Sequence, residues 1–135
     1  MTRTQVTAGL LCVVSAVAGL RSADERYTIA YATFAPLNTA IFVANDDGTT
    51  ERILVPGAQA DANPSLSPDG RWVLFTSRRF GSADIFRVGI DGRNLERLTD
   101  HVAFDDQAVM APGGRRIVFV SSRSGQGDIW LLDGA

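Results

Sequence analysis

Cysteine and histidine are all but missing from this sequence: its 135 residues hold one of each, Cys12 and His101. A lone cysteine excludes an intramolecular disulfide and any cysteine-built metal cage. One histidine falls short of the ligand set of a zinc centre. His101 also lacks a catalytic frame, because no G-x-S-x-G stretch occurs to form the strained nucleophile turn of a serine hydrolase. Blocks of like charge are absent too. The 13 basic and 15 acidic residues leave a formal net charge of −2, which gives no electrostatic footprint for nucleic acid. Val6–Leu20 runs 15 residues without a charge, shorter than the roughly 20 apolar residues of a membrane-spanning helix.

What the chain does have is apolar content, at 45%, and 13 glycines. The first permits a packed core; the second, together with five prolines, points to many turns and short strands. At the N-terminus, Arg3, the apolar run and the small residues Ala16 and Ala18 have the order of an export signal. The expected signal covers residues 1–18, with cleavage after Ala18 or as late as residue 23. Lipidation at Cys12 is disfavoured by the bulky Leu11 before it. A short buried helix is the plain structural alternative.

The most informative feature is repetition. Shifting the sequence by 44 residues places Asp61 on Asp105, Pro68 on Pro112, Gly70 on Gly114, Phe75 on Phe119, Ser77 on Ser121, Arg79 on Arg123 and Asp84 on Asp128. A fainter copy precedes them, with Ile29–Thr33 under Val73–Ser77, Ile41-Phe42 under Ile85-Phe86 and Asp47-Gly48 under Asp91-Gly92. Beyond that turn the first copy reads as one residue shorter, matching Glu51-Arg52-Ile53 to Glu96-Arg97-Leu98.

The middle copy predicts four antiparallel strands. Strand A is Asn63–Ser67, and Ser67-Pro68-Asp69-Gly70 is a tight turn, with proline presetting φ and glycine supplying positive φ. Strand B, Arg71–Ser77, is nearly all apolar, as expected for a strand buried on both faces. Strand C, Asp84–Ile90, alternates, and strand D is Leu95–Thr99. Four strands in 40–45 residues is the pattern of a β-propeller blade. The fold class expected is therefore all-β, with four-stranded antiparallel propeller blades, about two and a half of them, in a partial or open propeller. Residues 24–60 supply strands B–D of blade 1, residues 61–104 the complete blade 2, and residues 105–135 strands A–C of blade 3.

The stretch from Asn63 to Thr99 resembles the WD40-like repeat of TolB-type propellers, the PD40 repeat named for its Pro-Asp pair. The resemblance rests on Ser67-Pro68-Asp69-Gly70, Phe75-Thr76-Ser77, Arg79, Asp84-Ile85-Phe86, Asp91-Gly92 and Leu98-Thr99. It covers residues 27–135, although Gly113 stands for the motif aspartate in the third copy and the first copy lacks the turn. It implies a non-enzymatic periplasmic or secreted module that binds a protein partner. Family members join the Tol–Pal envelope system and bind its peptidoglycan-associated lipoprotein. The rival implication is the accessory propeller of an enzyme, either a prolyl-oligopeptidase-type serine peptidase or a carbohydrate lyase. Because propellers typically have about 4–8 blades, three readings of the blade count compete. The chain is a piece of a longer propeller protein, which the incomplete edge blades favour, or two copies complete a six-bladed ring, or the stack stands open.

Several residues are candidates for chemistry. Arg79 with Asp84, and Arg123 with Asp128, flank the B–C loops and are expected to pair as structural salt bridges, with a charged rim as the functional alternative. Asp61, Asn63, Asp105 and Gln107 start strand A near the expected ring axis. They either line the channel mouth for binding or cap the strand. Arg78, His101 and Asp106 are expected on the loop surface. Asp46–Glu51 could gather a hard cation, but it aligns with a hairpin turn and lacks EF-hand spacing. No cofactor or metal is expected, and no nucleic acid; contact with a membrane is confined to export.

Overall fold

The computed structural model describes residues 27–33, 39–56 and 60–133; the expected signal and Cys12 lie outside them. Among the described residues, ten strands form three antiparallel sheets. The first holds β1 (Thr28–Ala32), β2 (Ile41–Asn45) and β3 (Arg52–Val55). The second holds β4 (Ala62–Leu66), β5 (Trp72–Phe80), β6 (Ser82–Gly89) and β7 (Glu96–Arg97), in that spatial order. The third holds β8 (Asp105–Met110), β9 (Arg116–Ser121) and β10 (Asp128–Asp133). These are propeller blades in an open stack, and the described residues contain no helix.

The turn between β4 and β5 forms because its side chains replace backbone partners. The Gly70 N–H donates to the Ser67 carbonyl at 2.9 Å, with Gly70 at φ +69°. The Ser67 hydroxyl donates to Asp69 Oδ1 at 2.6 Å and accepts the Trp72 N–H at 2.9 Å. The Ser67 hydroxyl, helped by the Arg71 N–H, holds the Asp69 carboxyl below its usual range. The matching turn before β9 keeps the backbone bond, from the Gly114 N–H to the Ala111 carbonyl at 2.8 Å, and Gly114 has φ +70°. It lacks both helper side chains. A Cβ on Gly113 meets nothing within 4 Å, and its φ lies outside the left-handed region. Gly113→Asp is therefore expected to stabilise the fold by about 0.5–1 kcal/mol, by restricting the unfolded chain and adding a turn acceptor. Urea denaturation would show it as a higher midpoint at unchanged m-value.

Two strand bounds differ from the sequence pattern for identifiable reasons. β5 runs on to Phe80 through a register shift, with Gly81 at φ +107° closing the hairpin onto β6. β7 shrinks to two residues because the Thr99 hydroxyl accepts the Ile85 N–H at 2.9 Å, while the Leu98 N–H donates to the Ile85 carbonyl at 2.8 Å. A side chain thus takes one ladder position. The first copy is also not one residue shorter. Ile53 lies opposite Phe42 as Arg97 lies opposite Phe86, and Arg52 opposite Val43 as Glu96 opposite Arg87. The 44-residue shift holds throughout, so Leu54 takes the part of Leu98. Matching residue types had favoured Arg52 with Arg97, but pairing follows the backbone ladder.

The core consists of two layers between sheets. In the first, Ala30, Ala32, Ile41 and Val43 of sheet 1 meet Val73, Phe75, Phe86 and Val88 of sheet 2. In the second, Leu74 and Ile85 of sheet 2 meet Ala108, Met110, Ile117 and Phe119 of sheet 3. β5 contributes to both layers, which is why its apolar run does not alternate. Each sheet thus has a leading face, turned to the sheet before it, and a trailing face, turned to the sheet after.

Candidate functional site

The loops after β5 and β7 meet at one end of the stack and are braced by a device that occurs twice. The Asp61 side chain is fully buried. Both of its oxygens accept from the Arg79 guanidinium, at 3.2 and 3.1 Å, while Arg79 Nε donates to the Ser77 hydroxyl at 2.9 Å. The guanidinium lies over the rings of Phe75 and Phe86, 5.6 and 5.0 Å from their centroids. Forty-four residues on, Arg123 donates to buried Asp105 at 2.8 Å and to the Ser121 hydroxyl at 2.9 Å, and lies over Phe119 and Trp130. A planar, delocalised cation suits this position because it can stack and donate sideways at once.

This arrangement corrects the expected pairs. Arg79 pairs with Asp61 rather than Asp84, and Arg123 with Asp105 rather than Asp128. Asp84 instead accepts from Arg97 at 2.7 Å, which also holds Asp100 at 2.9 Å. Asp128 accepts from the Ser124 hydroxyl. The reason is ladder geometry. The arginine folds back over its own aromatic pair toward the neighbouring first strand, whereas Asp84 lies opposite Ser77 and is served by the next strand, β7. Asp61 and Asp105 are therefore internal ion-pair partners and leave the set of open channel-mouth residues.

Asn63 and Gln107 remain exposed, each at a bulge and each with positive φ, +50° and +55°. Asp106 is not a free loop residue. Its Oδ1 accepts from Asn63 at 2.7 Å, from the Thr76 hydroxyl at 2.6 Å and from the Gln107 N–H at 2.8 Å, stitching sheet 2 to sheet 3. The carboxylate-rich turn at Asp46–Glu51 is organised by Asp47 Oδ1, which accepts from the Thr49 N–H and hydroxyl at 2.9 and 2.6 Å. Among the described residues, no group of three or more candidate metal ligands assembles.

What the end of β5, Arg97 of β7 and the loop after β7 present together is an apolar and cationic surface. Phe80 is 65% exposed, Val102 95% and Phe104 40%. Arg78 lies 5.3 Å over the Phe104 ring, and Arg97 5.2 Å over the Phe80 ring. The Ser82 hydroxyl donates to the His101 carbonyl at 3.0 Å, tying the two loops. His101 itself is exposed, and its Nδ1 accepts the Ala103 N–H at 3.0 Å.

Comparison with known proteins agrees with the blades just described. The family model of the TolB beta propeller domain, PD40, matches residues 17–134. The chain belongs to the TolB β-propeller family. This TolB-type chain superposes on the structure of a putative TolB from Agrobacterium tumefaciens with a TM-score of 0.72 and 31% identity, covering 78% of this chain and 41% of that one. Among curated proteins it is 42% identical over 60 residues to an uncharacterised protein of Agrobacterium fabrum, Atu1656, matching 44% of this chain and 20% of that protein. It is 34% identical over 56 residues to the Tol-Pal system protein TolB of Bordetella pertussis, matching 42% of this chain and 13% of that protein. The matches thus span a fifth or less of these curated relatives. An acylaminoacyl peptidase of Pyrococcus horikoshii shares the fold alone, at 15% identity and a TM-score of 0.53 over 82% of this chain and 17% of that one.

Of the TolB-type chain's exposed residues at this end, the sequence reading named Arg78 and His101, expecting Arg78 on a loop where it lies in β5, and missed Phe80, Val102 and Phe104. One signal was available. Val102 and Phe104 are large apolar residues in a segment with no strand periodicity, where solvated polar residues are the rule. Arg97 was missed as the partner of Asp84 because it sits 13 residues away on a different strand.

Proposed function

We propose that this chain is a non-enzymatic, exported protein-binding module that docks its partner on Arg78, Phe80, His101, Val102 and Phe104. The supporting observation is the exposure of three large apolar side chains, Phe80 at the end of β5 and Val102 and Phe104 in the loop after β7, beside buried ion pairs that brace both segments. Aromatic and arginine side chains on a fixed frame are the usual anchors of protein interfaces, and rigidity reduces the ordering cost of binding. The Bordetella relative is a Tol-Pal system protein, which suggests a periplasmic partner of that system. The bulge residues Asn63 and Gln107 are a second polar contact on the same propeller, and both hold backbone strain of the kind found at binding sites. Likeness to a peptidase rests on fold alone and supplies no catalytic reading.

The test is binding of the purified peptidoglycan-associated lipoprotein to the exported chain by titration calorimetry. Val102→Asp is expected to weaken binding by about tenfold or more, as loss of a contact worth more than about 1.4 kcal/mol does. Its thermal midpoint should stay unchanged, because the side chain is outside the core. Equal affinity in Val102→Asp removes the loop patch from the interface. No binding by the unsubstituted chain removes this partner.

A further inference from the structure

The turn that opens β5 and the turn that opens β9 share one backbone and differ in their side chains. The Ser67 N–H donates to the Trp72 carbonyl and the Ala111 N–H to the Arg116 carbonyl, both at 2.8 Å. The closing glycines, Gly70 and Gly114, have φ +69° and +70°. In the first turn the Asp69 carboxylate sits inside this frame. Its Oδ1 accepts the Ser67 hydroxyl at 2.6 Å and the Arg71 N–H at 3.1 Å. Those two bonds, the hydroxyl's before the amide's, favour its charged form. In the second turn Ala111 and Gly113 stand at the places of Ser67 and Asp69. The Arg115 N–H therefore lacks the carboxylate that serves the Arg71 N–H.

The place of the missing group lies on a cleft between sheets 2 and 3, at the far end of β5 from the loop patch. The cleft measures about 230 Å³, with Gly113 and Gly114 in one wall and Asp69, Trp72 and Arg87 in the other. A Cβ placed on Gly113 meets nothing within 4 Å, so the two glycines leave this space open. Trp72 and Arg87 share the trailing face of sheet 2. Trp72 is two residues from Leu74, Arg87 lies opposite Leu74 in the ladder, and Leu74 is buried against sheet 3. The Arg87 guanidinium lies 4.8 Å over the Trp72 ring, and its Nε donates to Glu96 at 2.8 Å. Stacked there and anchored through Nε, it keeps its terminal N–H groups for a further acceptor. The carboxylate lining the cleft, Asp69, already serves Ser67 and the Arg71 N–H, and the Arg71 guanidinium lies 3.9 Å from it.

We propose that this cleft binds an acidic side chain of a partner peptide, whose carboxylate takes at Gly113 the place that Asp69 fills in the preceding turn. The ligand oxygen accepts the Arg115 N–H, and the Arg87 guanidinium offsets its charge. Trp72 and Met110, both lining the cleft, meet the methylene groups of the aspartate or glutamate. The acceptor has to be ionised, because a charge-assisted hydrogen bond is roughly twice as strong as a neutral one. This site is separate from the loop patch and stands without the partner proposed there.

The test titrates the isotope-labelled chain with the peptide acetyl-Gly-Asp-Gly-amide and follows its amide signals by NMR. The Arg115 amide proton should move downfield and saturate, together with the Trp72 indole signal. The isosteric acetyl-Gly-Asn-Gly-amide should bind about tenfold more weakly or not at all. Gly113→Asp supplies the carboxylate from within the chain. It should abolish binding of the acidic peptide while raising the urea midpoint, so that the loss cannot come from unfolding. Arg87→Gln should weaken binding severalfold. Equal responses to the two peptides, no saturable shift at Arg115, or unchanged affinity in either variant overturns the proposal.

Discussion

Arg79→Ala should lower the free energy of unfolding by about 3–5 kcal/mol, the usual penalty for leaving one partner of a buried ion pair without the other. Asp61 has no exposed side-chain surface, while the Arg79 side chain keeps 16% of its own. The consequences of deleting each partner are therefore unequal. Without Arg79 the carboxylate stays trapped in the protein with both oxygens unserved, and the rings of Phe75 and Phe86 lose the cation that covers them. Without Asp61 the guanidinium still has the Ser77 hydroxyl and a route to solvent. Asp61→Ala should therefore cost less than Arg79→Ala. The double variant should be more stable than the sum of the single losses predicts, by about 0.5–3 kcal/mol of coupling. Urea denaturation of the four proteins measures this directly. A loss below about 1 kcal/mol for Arg79→Ala would mean that the pair is solvated and the loop brace is not what holds the patch. Arg123→Ala should act in the same direction, since Asp105 is equally buried and one of its oxygens already lacks a partner.

A second large effect separates position in the repeat from position in the stack. Leu74→Ala should cost about 2–5 kcal/mol, the range for deleting most of a fully buried leucine side chain from a packed core. Its counterpart 44 residues later, Val118, sits in the same strand of the next blade, on the same face. Val118→Ala should cost no more than about 0.5 kcal/mol in the single chain, because Val118 is 37% exposed and loses few packing partners. Thermal or urea unfolding of the two variants would compare them. Similar losses at the two sites would mean that sheet 3 is covered after all.

Much of this architecture was legible in the residues. The 44-residue shift, the Pro-Asp-Gly turn and the unbroken apolar run of β5 are local signals. They act through backbone geometry, hydrogen bonds within a few residues and the two-sided burial that an inner blade requires. Gly70 and Gly114 adopt the same positive φ because the same turn must form twice. Even Arg79 and Arg123 stood out as a repeated pair of positions, although their partners were misassigned. The short β7 was less legible, because a Thr99 hydroxyl in place of a backbone acceptor leaves no periodic trace.

The sequence by itself determined the strands, the turns and the family to which they belong, since each of those depends on neighbours along the chain. Only the tertiary structure decided which carboxylate each arginine holds, which bulge residues stay in solvent and which loop side chains converge at one end. Among the described residues it also left Leu74 wholly buried and Val118 37% exposed. The difference is physical. A turn or a strand is selected by dihedral preferences and alternation within about ten residues. An ion pair or a buried face depends on which strand lies alongside in space, and two residues of one type at one repeat position can meet a neighbouring sheet or water.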